Sequence, residues 1–191
     1  ETTALFLRFL AGQAREAHDL YILGDLFDYW AGDDDIGDPF NATVCRALSE
    51  LAGAGTHIFF MPGNRDFLTG QQFGVSSRLT FLDDPTVVDL AGTPTLLMHG
   101  DTLCTDDTDY MAFRTMARSP QWQAGVLAKP LAERKLLLDS LRAQSEAAKQ
   151  AKDYETMDAN AGAVVEAFRH HGVRRLIHGH THRQARHEHH I

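Results

Sequence analysis

Apolar positions along the chain fall either in short unbroken runs or in longer series spaced by three and four. LYIL (20–23), HIFFM (57–61), TLLM (95–98) and RRLI (174–177) are runs of the first kind. Each leads into a turn rich in Gly or His: GDLFD, PGNRD, HGD and HGHTH. A strand covered on both faces needs no polar alternation, so these four read as buried strands. Phe40, Val44, Leu48 and Leu51 predict a helix over 39–53, and Met157, Ala161, Val164, Val165 and Phe168 predict another over 157–168. Residues 4–18 predict a helix with Leu5, Leu7, Phe9 and Leu10 on one side. LTFL (79–82) and TVVDL (86–90) flank Asp83-Asp84-Pro85 and predict a β-hairpin. The alternation as a whole predicts a layered α/β architecture.

Residues 106–155 break the rhythm. They predict three helices and no strand, punctuated by Ser119-Pro120 and Lys129-Pro130. We read them as a helical cap inserted into a core formed by residues 1–105 and 156–191.

Composition narrows the classes. The 191 residues suit one domain with an insertion, and 43% hydrophobic with 23% charged residues excludes disorder and fibres. A net charge of −8 argues against a general nucleic-acid binder. No apolar run approaches the ~18 residues of a membrane-spanning helix. Cys45 and Cys104 cannot make a disulfide framework, so a reducing compartment is expected. Eleven histidines direct attention to metal. The first residue is Glu and no signal peptide precedes the first helix, so the chain is expected to be truncated at both ends.

The four strand-ending turns carry the chemistry. In α/β folds polar groups at the C-terminal ends of strands converge on one crevice. Here they are Asp25, Asn64, His99, His180 and His182. Mixed oxygen and nitrogen donors suit Mn, Fe or Zn better than Mg or Ca. A carboxylate shared by two ions about 3.5–4 Å apart makes a site that activates water and clamps the oxygens of a phosphoryl transfer. There is no P-loop, nucleophile-elbow or dinucleotide motif.

The ordered set YILGDLFDYWAGDDD, PGNRDFL, LLMHGDTLCTDD and LIHGHTHR resembles the calcineurin-like metallophosphoesterase family. GNRDF and HGDTLCTDD are most similar to the branch that cleaves the diphosphate of UDP-2,3-diacylglucosamine in lipid A biosynthesis. The resemblance implies a metallophosphoesterase β-sandwich flanked by helices and two divalent ions, with manganese expected. One ion would be held by Asp25, Asn64, His99 and His180, the other by Asp25, His182 and an Asp-x-His that opens the family pattern. No Asp-x-His lies ahead of LYIL; His18-Asp19 has the reverse order. Asp25, Arg65 and His180 are the implied catalytic residues. Asn64, Arg65, Asp107, Ser145, Lys149, Lys152 and His180 are the implied substrate contacts, although the branch commonly has Asn where Lys149 stands.

Arg65 is placed to neutralise a diphosphate oxygen, or else to pair with Asp66 or the Asp33–Asp35 run. That run reads as a solvated loop. Ser145, Lys149 and Lys152 fall at i, i+4 and i+7 and could grip a sugar phosphate. Trp122, Leu127, Leu131, Leu136, Leu137 and Leu138 either line an acyl groove or pack the cap. Phe27, Tyr29 and Trp30 read as core or crevice wall, and Cys104 as a small packing residue. His187, His189 and His190 read as a surface strand or tail. The expected partners are the lipid-linked nucleotide and a membrane surface on the cytoplasmic side of the bacterial inner membrane, with no nucleic acid or protein partner. Two alternatives stay open: another metallophosphoesterase, or a metal-deficient scaffold.

Overall fold

A computed structural model describes residues 2–151 and 156–189, with the side chains of 149–151 left aside. The chain runs α1 (Thr2–Ala11), β1 (Asp19–Ile22), α2 (Pro39–Gly53), β2 (His57–Phe60), α3 (Gln71–Ser77), β3 (Thr80–Phe81), β4 (Thr86–Leu90) and β5 (Thr93–Met98). It continues through α4 (Thr108–Ala117), α5 (Pro120–Leu127), α6 (Leu131–Ala151), α7 (Ala161–His171) and β6 (Arg175–His178). Single 3₁₀ turns sit at Gln13–Glu16, Asp33–Asp35 and Asp101–Leu103.

The strands form two three-stranded sheets, β1-β2-β3 and β4-β5-β6. The first is parallel throughout, each step being made through a helix, α2 and then α3. In the second, β4 and β5 are antiparallel and β6 joins β5 in parallel after the long helical excursion. All four predicted strands are present. The hairpin is placed differently. LTFL and TVVDL separate into different sheets, and the hairpin is β4–β5, with Leu90 opposite Thr93. Its two-residue turn is Ala91-Gly92, both at positive φ (52° and 80°), the geometry that matches strand twist. Asp83-Asp84-Pro85 instead carries the chain from one sheet to the next.

Helix boundaries follow local chemistry. Asp38 caps α2 by accepting from the Phe40 N–H, with Pro39 in the first turn. Ser119 and Pro120 do the same for α5. Asn160 caps α7, so Met157 lies before that helix. The first helix ends at Ala11; Leu10 is buried, but Leu5 and Phe9 are exposed, so only part of the predicted apolar side is covered. β6 is not buried on both faces either: Ile177 is 42% exposed.

Two apolar clusters hold the layers. The larger joins Phe27, Trp30, Val44, Leu48, Leu51, Phe60 and Phe73 to Val126 and Leu138 of the predicted cap. The smaller joins Leu96 and Met98 of β5 to Val164 and Phe168 of α7. Trp30 lies at the centre of the aromatic group, 4.6 Å from Phe27 and 4.9 Å from Phe73 between ring centroids. Its indole N–H donates to Asp33 Oδ1 at 3.0 Å. Asp33 also accepts from the Gly70 and Phe73 N–H groups, and Asp35 is buried. The acidic run is therefore a tie between the β1–α2 loop and α3, not a solvated loop, because three donors converge on Asp33.

Trp30 is fully buried, so Trp30→Ala should destabilise the fold by about 3–5 kcal/mol. Urea unfolding followed by circular dichroism measures this, and a loss below about 1 kcal/mol would deny Trp30 its central place.

Candidate metal centre

The turns after β1 and β2 are built against each other. Gly24 has φ +84°, and a Cβ there would lie 2.5 Å from the Gly63 Cα and 2.6 Å from His99 Nδ1. Only two glycines allow this approach. Asp66 then joins the turns. It has no solvent exposure and accepts from Gly63 N and Leu26 N, both at 2.7 Å, and more weakly from Asp25 N and Phe27 N. Burial, reinforced by the Asp25 charge, pushes its carboxyl up to about 6. Asp66 was not among the predicted site residues. The signal was its spacing, three residues after a Gly that must turn, a position from which a carboxylate can cap the turn's amides.

Asp25, Asn64, His99 and His180 converge from four strand ends, those of β1, β2, β5 and β6. The Arg65 N–H donates to Asp25 Oδ1 at 3.0 Å, which fixes the carboxylate over the second turn. His99 is fully buried, and its Nδ1 lies 2.7 Å from the Leu23 carbonyl. That contact holds the proton on Nδ1 and leaves the Nε2 lone pair facing inward. Nε2 is 3.0 Å from Asn64 Oδ1 and 3.7 Å from Asp25 Oδ1. His180 Nδ1 lies 2.9 Å from the same Asn64 oxygen. Ligating atoms of Asp25, His99 and His180 all fall within 4.8 Å of one another.

This donor set fits a metal. With the amide oxygen inward, it faces the His99 Nε2 lone pair across 3.0 Å, an arrangement that a cation stabilises, while the Asn64 N–H donates to the same Nε2 at 3.3 Å. The backbone agrees. Among the described residues, five non-glycine positions have positive φ, and three are predicted ligands: Asp25 (55°), His180 (67°) and His182 (54°). Strain of this kind gathers where a side chain must be aimed. His182 itself is exposed and outside the convergent group.

Behind His99 lies a polar layer that the sequence did not reveal. Asp84 Oδ1 accepts from the His99 N–H at 3.1 Å. Asp101, of the HGD turn, points away from the cluster and accepts from Tyr110 Oη at 2.7 Å and Arg114 Nε at 2.8 Å. Burial would raise the Asp101 carboxyl, but Arg114, His99 and Tyr110 outweigh it and hold it below the usual range. The Tyr110 ring sits 5.6 Å from that of His180. Burial and the Asp101 charge raise its phenol far above normal, so it stays a donor.

Arg65 pairs with neither Asp66 nor the acidic run. Its guanidinium reaches Asp28 (3.1 Å), Asp25 (3.7 Å) and Glu146 of α6 (3.9 Å). Asp107 is largely buried and caps α4 by accepting from the Tyr110 N–H. Ser145 is exposed on α6, Lys149 lies on the same helix, and Lys152 lies outside the described residues. Of the cap's apolar residues, Leu138 is buried, Trp122, Leu131 and Leu137 pack against the larger cluster, and Leu127 and Leu136 are exposed.

The family model for calcineurin-like phosphoesterases matches residues 2–184. The chain belongs to that family. It is similar to UDP-2,3-diacylglucosamine hydrolase of Aromatoleum aromaticum, 53% identical over 188 residues, covering 98% of this chain and 76% of that protein. The proteins of the same name from Chromohalobacter salexigens and from Escherichia coli O157:H7 (strain EC4115) are each 50% identical, covering 98% and 97% of this chain and 76% and 77% of their own length. This calcineurin-like phosphoesterase is a metal-dependent hydrolase with mixed α/β layers, as its turns predict. Among the described residues no helix is long and apolar enough to cross a membrane.

Asp25→Ala should remove a ligand and lower the divalent metal retained after desalting, read by elemental analysis; unchanged metal content would reject its ligand role. Cys104 offers a second check. Burial, then the charges of Asp101, Asp158 and neighbouring carboxylates, push its thiol up to about 12. At pH 8 the thiol therefore stays protonated. Iodoacetamide should label Cys104 only after unfolding, and native labelling, read by peptide mass spectrometry, would contradict that environment.

Proposed function

We propose that this chain hydrolyses the diphosphate of UDP-2,3-diacylglucosamine, giving UMP and 2,3-diacylglucosamine 1-phosphate, with two divalent ions, Mn²⁺ by preference. The reading rests on family membership, on relatives of that name, and on one geometric observation. Arg65 is anchored by its own backbone N–H to the Asp25 carboxylate while its guanidinium stands between that carboxylate and α6. A planar fork held there meets a diphosphate between the metal ligands and the helix above them.

When bound, the ions supply an activated water and a clamp on the phosphoryl oxygens. The chain's own residues do the rest. Asn64 and His180 lie beside the reacting group, and Arg65 neutralises charge as the bond to the leaving group breaks. Asp28, held below the usual carboxylate range by Arg142 and Arg65, orients that guanidinium in the free protein. The substrate must displace part of this pairing.

We read 106–155 as a cap and its helix α6 as the sugar-facing element. Arg142 and Glu146 reach down to Asp28 and Arg65, so Ser145 between them rides above the same edge. With Asp107, Lys149 of this helix and Lys152, which lies outside the described residues, complete the proposed substrate contacts. His182 would serve the second ion with Asp25. The exposed Leu127 and Leu136 are candidates for acyl or membrane contact at the cytoplasmic face of the inner membrane. With a net charge of −8, such contact depends on apolar side chains and not on attraction to anionic lipid.

The deciding experiment supplies Mn²⁺ and UDP-2,3-diacylglucosamine and identifies products by mass spectrometry. UMP is expected; turnover of simple phosphodiesters without UMP would overturn the substrate. Arg65→Ala should lower kcat by about 10²–10³-fold with Mn²⁺ content unchanged. A parallel loss of metal would assign Arg65 to the scaffold instead.

A further inference from the structure

At the opposite end of the parallel sheet lies a second cluster of ligating side chains, unrelated to the reaction. His18 precedes β1, Asp19 opens it, and His57 opens β2. Asp19 and His57 are register partners, and the His57 N–H donates to the His18 carbonyl at 2.8 Å. The sheet ladder thus holds all three backbones together.

We propose that His18, Asp19 and His57 form a divalent transition-metal site of the zinc type. Both imidazoles turn the same nitrogen to the same oxygen: Nδ1 of His18 is 3.0 Å and Nδ1 of His57 is 3.2 Å from Asp19 Oδ1. The rings meet edge-on, centroids 4.8 Å apart, and the three ligating atoms all lie within 4.8 Å of one another. Zinc with bonds of about 2.0–2.1 Å in a tetrahedron places its ligands about 3.3 Å apart. Two of the three edges already stand within a few tenths of that value. The third, between the imidazoles, closes by rotation of two exposed rings. Two imidazoles with one carboxylate select zinc, cobalt or nickel over magnesium or calcium, and water would fill the fourth position.

The strands leading from this cluster towards the Asp25 turn are four residues long, about 13 Å, so the two sites share no ligand. An ion here ties the first residues of two neighbouring strands and binds only the folded chain, so it stabilises the sheet edge.

The test uses the full chain, dialysed to equilibrium against free Zn²⁺ in the low micromolar range, with bound zinc counted by elemental analysis. Wild type should hold one equivalent more than His57→Ala or His18→Ala. Adding His57→Ala to His99→Ala, which dismantles the other cluster, should remove the same single equivalent. Mn²⁺-supported turnover should not change in His57→Ala, and metal-free melting temperatures should match, since all three residues are exposed. In wild type, zinc should shift or broaden the imidazole NMR signals of His18 and His57. Equal zinc counts in wild type and both histidine variants, or imidazole signals blind to zinc, would reduce the cluster to a hydrogen-bonded imidazole–carboxylate group and overturn the proposal.

Discussion

Asp66 is a carboxylate without solvent contact, and the turns that follow β1 and β2 are organised around it. Its oxygens accept from Asp25, Leu26, Phe27 and Gly63, so the loops leaving β1 and β2 share one acceptor. The raised pKa shows that these amides offset only part of the cost of burial. What the arrangement secures is registration: Asp25 and Asn64 cannot move independently. The contact of Gly24 with Gly63 and the positive φ of Asp25 follow from pressing two turns this closely together.

From that junction the remaining members of the cluster are placed by strands of the other sheet. His99 follows β5 and reaches across to the Leu23 carbonyl, while its own carbonyl accepts from the Gly179 N–H at 2.8 Å. The cluster is thus the seam between two sheets, and its backing is as specified as its front. Arg114 of α4 neutralises Asp101 behind His99 and Tyr110 donates to it, which ties the helical segment to the candidate metal cluster through one buried carboxylate.

The segment 106–155 is less separate than its composition suggests. Arg134 is 4% exposed, donates to the Ala31 carbonyl at 2.7 Å and pairs with Asp34. Lys135 reaches Asp35 at 2.8 Å. Together with Val126 and Leu138 in the larger apolar cluster, these cations clamp α6 to the β1–α2 loop. Exposed pairs alone contribute little, but a buried guanidinium with a carbonyl and a carboxylate leaves the helix few other positions.

Strand-ending turns and the spacing of apolar residues are local, and they were legible in the chain itself. A Gly after a buried run turns the chain, and Ser119-Pro120 separates two helices. For the same reason the family's ordered motifs pointed to the residues that cluster, since each sits beside its own turn. Pairing was not local: LTFL and TVVDL looked like a hairpin, because apolar runs do not say which sheet will receive them. Nor could the chain order show that Asp66 faces inward, that Arg65 turns to Asp28 and Glu146, or that His18 and His57 meet. Those outcomes depend on which strand ends become neighbours, and only the folded chain decides that.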